Sequence, residues 1–198
     1  THPMSEERYA RVEEAARTRY RDDLGRPLHR DRYMDRTAGL RAVKGAIEAM
    51  QEGDKAMGRK AWSEADVQYR RALAIAPEDY AALVKCAECQ AARKRYAEAR
   101  RYAEAAQQVY PGEARAYSVS GISRLMGRDW DGAYEELSAY DERLPGNPGI
   151  TFLKGLSLEG MGRRRDAAQA YYDYLQAVSS GEQAQYAYSR LQQWGVVQ

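Results

Sequence analysis

Apolar and small side chains recur along this chain at intervals of three and four residues. One such run comprises Leu83, Cys86, Ala87 and Gln90, and the next comprises Tyr96, Ala99, Ala103 and Ala106. This spacing places the members of each run on one face of an α-helix. The two runs follow each other closely along the chain, so we predict a pair of antiparallel helices, A and B.

The landmarks of this helix pair return at a constant interval. Pro77, Pro111 and Pro145 are 34 residues apart. Three other series keep the same step, namely the alanines 65, 99, 133 and 167, the aromatic residues Trp62, Tyr96 and Trp130, and the small residues Gly53, Ala87, Gly121 and Gly155. A fixed interval of this length is typical of stacked helical repeats.

Each landmark has a physical role in such a repeat. A small residue in helix A and an alanine in helix B allow the two backbones to approach, because a larger side chain would push them apart. The proline ends a unit, since it cannot donate a backbone hydrogen bond and disfavours helix in the residue before it. We therefore predict four units over residues 46–79, 80–113, 114–147 and 148–181, and a capping helix over residues 182–198.

This arrangement of landmarks resembles the tetratricopeptide repeat (TPR) family over residues 46–179. The resemblance implies an all-α, right-handed solenoid of helix hairpins that binds other proteins. The chain departs from the family pattern at two points. The tryptophan expected early in helix A is replaced by Ala49, Leu83, Tyr117 and Thr151, and Ser179 stands in place of the fourth proline.

Residues 1–45 carry no repeat but show helical patterns. Ser5 is a favourable N-cap and is followed by two glutamates in the first turn. Tyr9, Val12, Ala16 and Tyr20 then share one face, and Gly25 and Pro27 end the helix. A second helix is predicted from Asp31 towards Val43, so this segment should be helical and lead into the first repeat.

The opening stretch, THPMSEERYARVEEAA, resembles the end of the catalytic domain in a family of bacterial zinc metallopeptidases, the HtpX-like and BepA-like proteins. The resemblance rests on Thr1, His2, Pro3, Glu7 and Arg8. A periplasmic branch of that family carries tetratricopeptide repeats after the peptidase. The resemblance implies that this chain is the repeat tail of such an enzyme, and the initial Thr is expected from a processed or cut form.

Catalytic, metal and cofactor sites are not expected in the chain. The His-Glu-x-x-His helix of the metallopeptidases is missing, and the two histidines, His2 and His29, lie in different segments. Cys86 and Cys89 have no second pair of ligands for structural zinc, and we interpret them as packed side chains, with a local disulfide or redox chemistry as alternatives. Nucleophile, phosphate-binding and dinucleotide motifs are also missing.

The charge balance argues against nucleic acid, and the hydropathy argues against a membrane span. Lys and Arg total 31, Asp and Glu total 29, and the two signs are mixed along the chain. A nucleic-acid surface would instead concentrate basic residues. The chain also has no apolar stretch of about 18 residues, the length that a membrane helix needs.

The expected partner site is the concave side of the solenoid, which helix A lines in the family that the chain resembles. By that analogy the inward positions are Ile47, Met50, Met57, Val84, Ile122, Leu125, Met126, Phe152 and Leu156. Two interpretations are open, because these side chains either form a binding groove or are covered within the chain. A groove of this kind suits an apolar peptide or partner helix. Arg115 is essentially the only cation among these positions, so a clamp for a C-terminal carboxylate is not expected.

Two functions follow from these features. The first is a non-catalytic interaction module, the tail of a periplasmic metallopeptidase that docks substrate or an outer-membrane assembly complex. The second is a free-standing scaffold or assembly factor for a secretion or envelope complex. The residues encoded before Thr1 distinguish the two.

Overall fold

In the computed structural model, residues 5–27 and 29–197 are described. Every regular element among them is helical, which confirms the all-α prediction. The chain divides into two compact units between Ala42 and Val43. This division falls three residues before the sequence-predicted start of the repeats at Ala46.

The first unit contains short helices without a buried core. Helix α1 spans Ser5–Thr18, a 3-10 turn spans Arg21–Asp23, α2 spans Arg30–Arg36 and α3 spans Ala38–Ala42. Two expectations need correction, because Tyr20 lies beyond α1 and the single helix predicted from Asp31 is interrupted at Thr37. The Thr37 hydroxyl donates a hydrogen bond to the carbonyl oxygen of Tyr33 at 2.7 Å, the competition with helical geometry that is common for this residue type.

The second unit consists of four helix pairs followed by one further helix. The A helices are α4 (Lys44–Gly58), α6 (Tyr80–Ala92), α8 (Arg115–Met126) and α10 (Pro148–Gly160). The B helices are α5 (Trp62–Ile75), α7 (Tyr96–Val109), α9 (Trp130–Arg143) and α11 (Arg164–Ala177), and α12 (Glu182–Gln193) follows them. Each B helix therefore begins at the position of the aromatic series, which Arg164 occupies in the last pair.

The crossings of A and B helices are tightly packed. Ala65, Ala99, Ala133 and Ala167 are all 0% exposed, as the repeat register predicts. The small residue of helix A faces a large side chain of helix B in three of the pairs. A Cβ placed on Gly121 would lie 2.8 Å from Leu137 Cγ, and one placed on Gly155 would lie 2.7 Å from Tyr171 Cε1. Gly53 meets Tyr69 in the same way. Glycine is required there by the close approach.

The turn between helices A and B uses a left-handed residue in every pair. Lys60, Lys94 and Arg128 have φ angles of 60°, 61° and 61°, and Gly162 has 75°. Residues with a Cβ pay a steric cost in this region, whereas glycine does not. The turn geometry is therefore fixed by the helix packing on either side, because three of the four residues do not favour it.

The aromatic residue that opens helix α9 contacts the next helix pair. The Trp130 indole occupies the space that a side chain at Gly160 of the next pair would need. The last pair has Arg164 instead of an aromatic residue, and its guanidinium lies 5.4 Å from the centre of the Trp194 ring. Trp194 directly follows α12. In this contact the aromatic ring therefore comes from the end of the following helix, and the start of helix B supplies the cation. A cation-π contact thus replaces the missing aromatic.

A buried carboxylate connects the first two pairs. Asp66 accepts hydrogen bonds from Gln90 Nε2 at 2.6 Å, Arg93 Nη1 at 2.5 Å and Arg70 Nε at 2.8 Å. Burial alone would raise the pKa of Asp66, but the hydrogen bonds and charges of Arg70 and Arg93 outweigh it and lower that pKa. The carboxylate therefore stays ionised at neutral pH.

The A helices lie on the inner side of the array. Besides the contacts within each pair, α4 contacts α6, α6 contacts α8 and α8 contacts α10. Successive B helices make no comparable contact among the described residues. Successive A helices contact each other and successive B helices do not, so the A helices stand closer together. The array therefore curves with the A helices on its inner side.

We expect Ala133→Leu to lower the free energy of unfolding by about 1 to 3 kcal/mol, because the crossing of α8 and α9 has no room for a larger side chain. Urea denaturation followed by circular dichroism measures the change. Ala97→Leu is the matched control, since Ala97 is exposed on α7. Equal midpoints for the two variants would contradict the helix register.

Candidate partner-binding cleft

A cleft of about 510 Å³ opens on the inner side of the array. Its walls come from three A helices, α6, α8 and α10, and from the first turn of α12. The lining side chains include Ala91, Val119, Ile122, Ile150 and Leu153, together with Glu88, Arg115, Ser118, Tyr140, Asn147 and Gln183. The volume lies within the range of protein sites that hold several side chains of a ligand.

One ion pair crosses the cleft wall between α6 and α8. Glu88 Oε1 accepts a hydrogen bond from Arg115 Nε at 2.7 Å, and Arg115 Nη2 lies 2.6 Å from the same oxygen. Near the other wall, Asn147 caps α10 by accepting from the Gly149 amide at 3.0 Å, and its Nδ2 donates to the Tyr140 hydroxyl at 3.3 Å. The polar groups of the cleft are thus largely engaged with each other.

The inner face has further ion pairs, each joining one A helix to the next inner helix. Asp54 of α4 accepts from Lys85 Nζ of α6 at 2.7 Å. Glu159 of α10 binds Arg190 of α12 and also accepts from the Tyr171 hydroxyl at 2.6 Å. Among the described residues, the step from α8 to α10 has no such pair, and the cleft opens at this step.

The sequence-predicted positions are distributed unevenly between surface and core. Ile122 is 38% exposed and is the one member of the set that lines the cleft. Ile47 and Met126 are also exposed, whereas Met57, Leu125 and Leu156 are half-buried. Met50, Val84 and Phe152 are buried. The structure therefore brings together only part of the predicted groove, and the binding role of the set stays a prediction.

Met50, Val84 and Phe152 follow the second of the two interpretations, because they are covered within the chain and do not reach the cleft. Phe152 is 5% exposed and packs against the rings of Tyr171, Tyr174 and Tyr186, with ring centres 5.1 to 5.9 Å apart. Tyr186 belongs to α12, so the final helix covers this position. Val84 packs in a cluster with Leu83, Ala106 and Ala116, and Met50 packs with residues that include Ala46 and Ala49.

Several cleft residues were missed from the sequence. Ile150 and Leu153 stand beside the inward positions of α10, one helical turn apart, and they supply much of the apolar wall. Their three-residue spacing was visible in the sequence. Tyr140 and Gln183 gave no such signal, because they lie on α9 and α12 and reach the cleft only through the packing of neighbouring units.

Cys86 and Cys89 belong to the core rather than to the cleft. Both are 0% exposed and free, as the packing interpretation predicts. Burial raises the pKa of Cys86 to about 12 and also raises that of Cys89. Thiolate is the reactive form, so neither side chain is suited to redox chemistry at neutral pH.

The described part of the chain contains neither a metal-binding cluster nor a membrane-spanning helix. No group of three or more His, Cys, Asp or Glu side chains there could hold a metal ion. No helix in the same residues is long and apolar enough to cross a membrane. His2, with Thr1 and Pro3, lies outside the described residues, and His29 is exposed before α2.

Comparison with known proteins supports the fold. Residues 56–121 match the family model described as tetratricopeptide repeat. No curated protein matches the chain. Among solved structures, the Sgt2 TPR domain from Aspergillus fumigatus is 27% identical, with a TM-score of 0.58 over 62% of this chain and 82% of that one.

Two further structures share the same architecture at lower identity. MamA from Desulfovibrio magneticus RS-1 is 15% identical, with a TM-score of 0.71 over 77% of this chain and 87% of that one. The first TPR domain of Spaghetti (RPAP3), bound to an HSP90 peptide, is 20% identical, with a TM-score of 0.53 over 64% of this chain and 93% of that one. The repeat array therefore has the tetratricopeptide-repeat fold.

We expect Phe152→Ala to lower the free energy of unfolding by about 3 to 5 kcal/mol, because it removes a buried ring from the contact between α10 and α12. Met126→Ala is the control, since Met126 is 53% exposed on α8 and its loss should change stability by less than about 0.5 kcal/mol. Chemical denaturation measures both. Equal losses would show that Phe152 is a surface residue.

Proposed function

We propose that the chain is a non-catalytic interaction module that holds an uncharged apolar segment of a partner protein in the cleft between α6, α8 and α10. The observation that carries this proposal is the contrast along the inner face. Three of the four steps between successive inner helices carry an ion pair, and the step from α8 to α10 presents Ile122 and Leu153 instead.

The charges around the cleft support an uncharged occupant. Glu88 and Arg115 neutralise each other, and no other charged side chain among the described residues lines the cleft. A charged segment would lose hydration without gaining a free counter-charge, whereas an apolar segment gains from burial against the cleft wall. The structure of the first TPR domain of Spaghetti with an HSP90 peptide is consistent with peptide binding by this fold.

The test uses an array of heptapeptides built from Leu, Ile, Met, Gln and Ser, with amidated C-termini. The strongest binder is then titrated in solution by fluorescence anisotropy. We expect Ile122→Glu to weaken its binding at least tenfold, because a bound apolar segment would cover the new carboxylate and strip its hydration. Val67→Glu is the matched control, since Val67 is 63% exposed on α5 and does not line the cleft.

The outcome depends on both variants keeping their helicity and unfolding midpoint, which circular dichroism verifies. Equal loss of binding in Ile122→Glu and Val67→Glu would place the binding surface elsewhere. Failure of every peptide to bind the unaltered chain would refute apolar-segment binding by this cleft.

For the wider role we propose the repeat tail of a periplasmic zinc metallopeptidase, docking substrate or an outer-membrane assembly complex. The support is the resemblance of the opening residues, in which Glu7 and Arg8 fall in α1 and Thr1, His2 and Pro3 lie outside the described residues. The sequence encoded before Thr1 tests the proposal. A His-Glu-x-x-His helix is expected there, and its absence from the parent protein would favour a free-standing scaffold.

A further inference from the structure

The ion pair of Glu88 and Arg115 leaves part of each group open to the cleft. Arg115 Nε donates a hydrogen bond to Oε1 of Glu88, and Nη2 lies 2.6 Å from the same oxygen. Among the described residues, no hydrogen bond uses the other oxygen, Oε2. The Glu88 side chain is 29% exposed and the Arg115 side chain is 65% exposed. The Glu88 carboxylate is therefore less exposed to water than the Arg115 guanidinium. An occupant of the cleft would meet the carboxylate closer to the cleft wall.

This arrangement makes the cleft unfavourable for a second carboxylate. Among the described residues, Arg115 is the one basic side chain that lines it, and its Nε and Nη2 atoms already lie against Oε1 of Glu88. An incoming carboxylate would have to share that guanidinium and would approach the charge of Glu88. A backbone amide is favoured at the same place, because its N–H can donate a hydrogen bond to the open Oε2 of Glu88.

We propose that Glu88 selects the occupant of the cleft, so that the partner contributes an internal, uncharged segment and not its C-terminal carboxylate. This inference rests on the proposed function and adds the chemical class of the segment. Glu88 acts in two ways: it holds Arg115 away from anions, and it accepts an amide hydrogen of the bound backbone.

The experiment compares two matched forms of one peptide on the full chain. The strongest binder from the uncharged array is made with an amidated C-terminus and with a free C-terminal carboxylate, and fluorescence anisotropy gives both dissociation constants. We expect the unaltered chain to prefer the amide. In Glu88→Gln the ratio of carboxylate affinity to amide affinity should rise about three- to fivefold, the range of one partly exposed ion pair.

Two further variants make the result specific. In the double variant Glu88→Gln with Arg115→Gln the ratio should fall back, because the gain depends on the released guanidinium. Glu142→Gln is the matched control, since Glu142 is exposed on α9 and does not line the cleft, and its ratio should equal that of the unaltered chain. The gain should also shrink at high salt.

The inference and the proposed function fail in different ways. A ratio in Glu88→Gln that stays constant or falls, while the amide peptide still binds the unaltered chain, would overturn selection by Glu88 and leave cleft binding intact. A preference of the unaltered chain for the free carboxylate would overturn it as well. Failure of both peptide forms to bind would remove the proposed function and this inference with it.

Discussion

The close approach of helices A and B at one glycine in each of three pairs is the constraint on which the repeat array depends. Gly121 meets Leu137 and Gly155 meets Tyr171 at distances that leave no room for a Cβ. Because the large side chain of helix B rests on the backbone of helix A, the pair has a fixed separation and rotation. The following turn then adopts a left-handed residue even where that residue is Lys60 or Arg128. The position of each inner helix follows from this crossing.

The last inner helix changes what the inner face can offer. Helix α12 continues the series of inner helices, and no B helix follows it among the described residues. Its contacts with α10 and α11 combine aromatic and charged groups in a way that has no counterpart in the earlier units. Trp194 stacks on Tyr171 at 6.0 Å, and Glu159 binds Arg190 and accepts from the hydroxyls of Tyr171 and Tyr186. These contacts bury Phe152, so the cleft is displaced towards α6 and α8.

The sequence was sufficient for features that repeat and insufficient for those that do not. The four buried alanines and the starts of the four B helices recur at the same interval of 34 residues, so each position reports on the others. The covering of Phe152 depends on Tyr186, which lies outside the four units and has no counterpart in them. The Ile150–Leu153 wall could have been predicted, because its spacing was visible. The prediction of one continuous helix across Thr37 was wrong for a different reason. The described residues of the first unit form no buried core that would stabilise a continuous helix.

The ion pairs of the inner face have more influence on which partner binds than on stability. The Asp54–Lys85 and Glu88–Arg115 pairs are partly exposed and contribute at most about 1 kcal/mol each, so they do not hold the array together. Their effect is to cancel charge along a curved surface, with the acid on the earlier helix and the base on the later one in Asp54–Lys85, Glu88–Arg115 and Glu159–Arg190. Where the series is interrupted, between α8 and α10, apolar side chains replace the pair. In the proposed function, the absence of competing charge directs an occupant to this step, and the Glu88 carboxylate at its margin decides which chemical groups the cleft accepts.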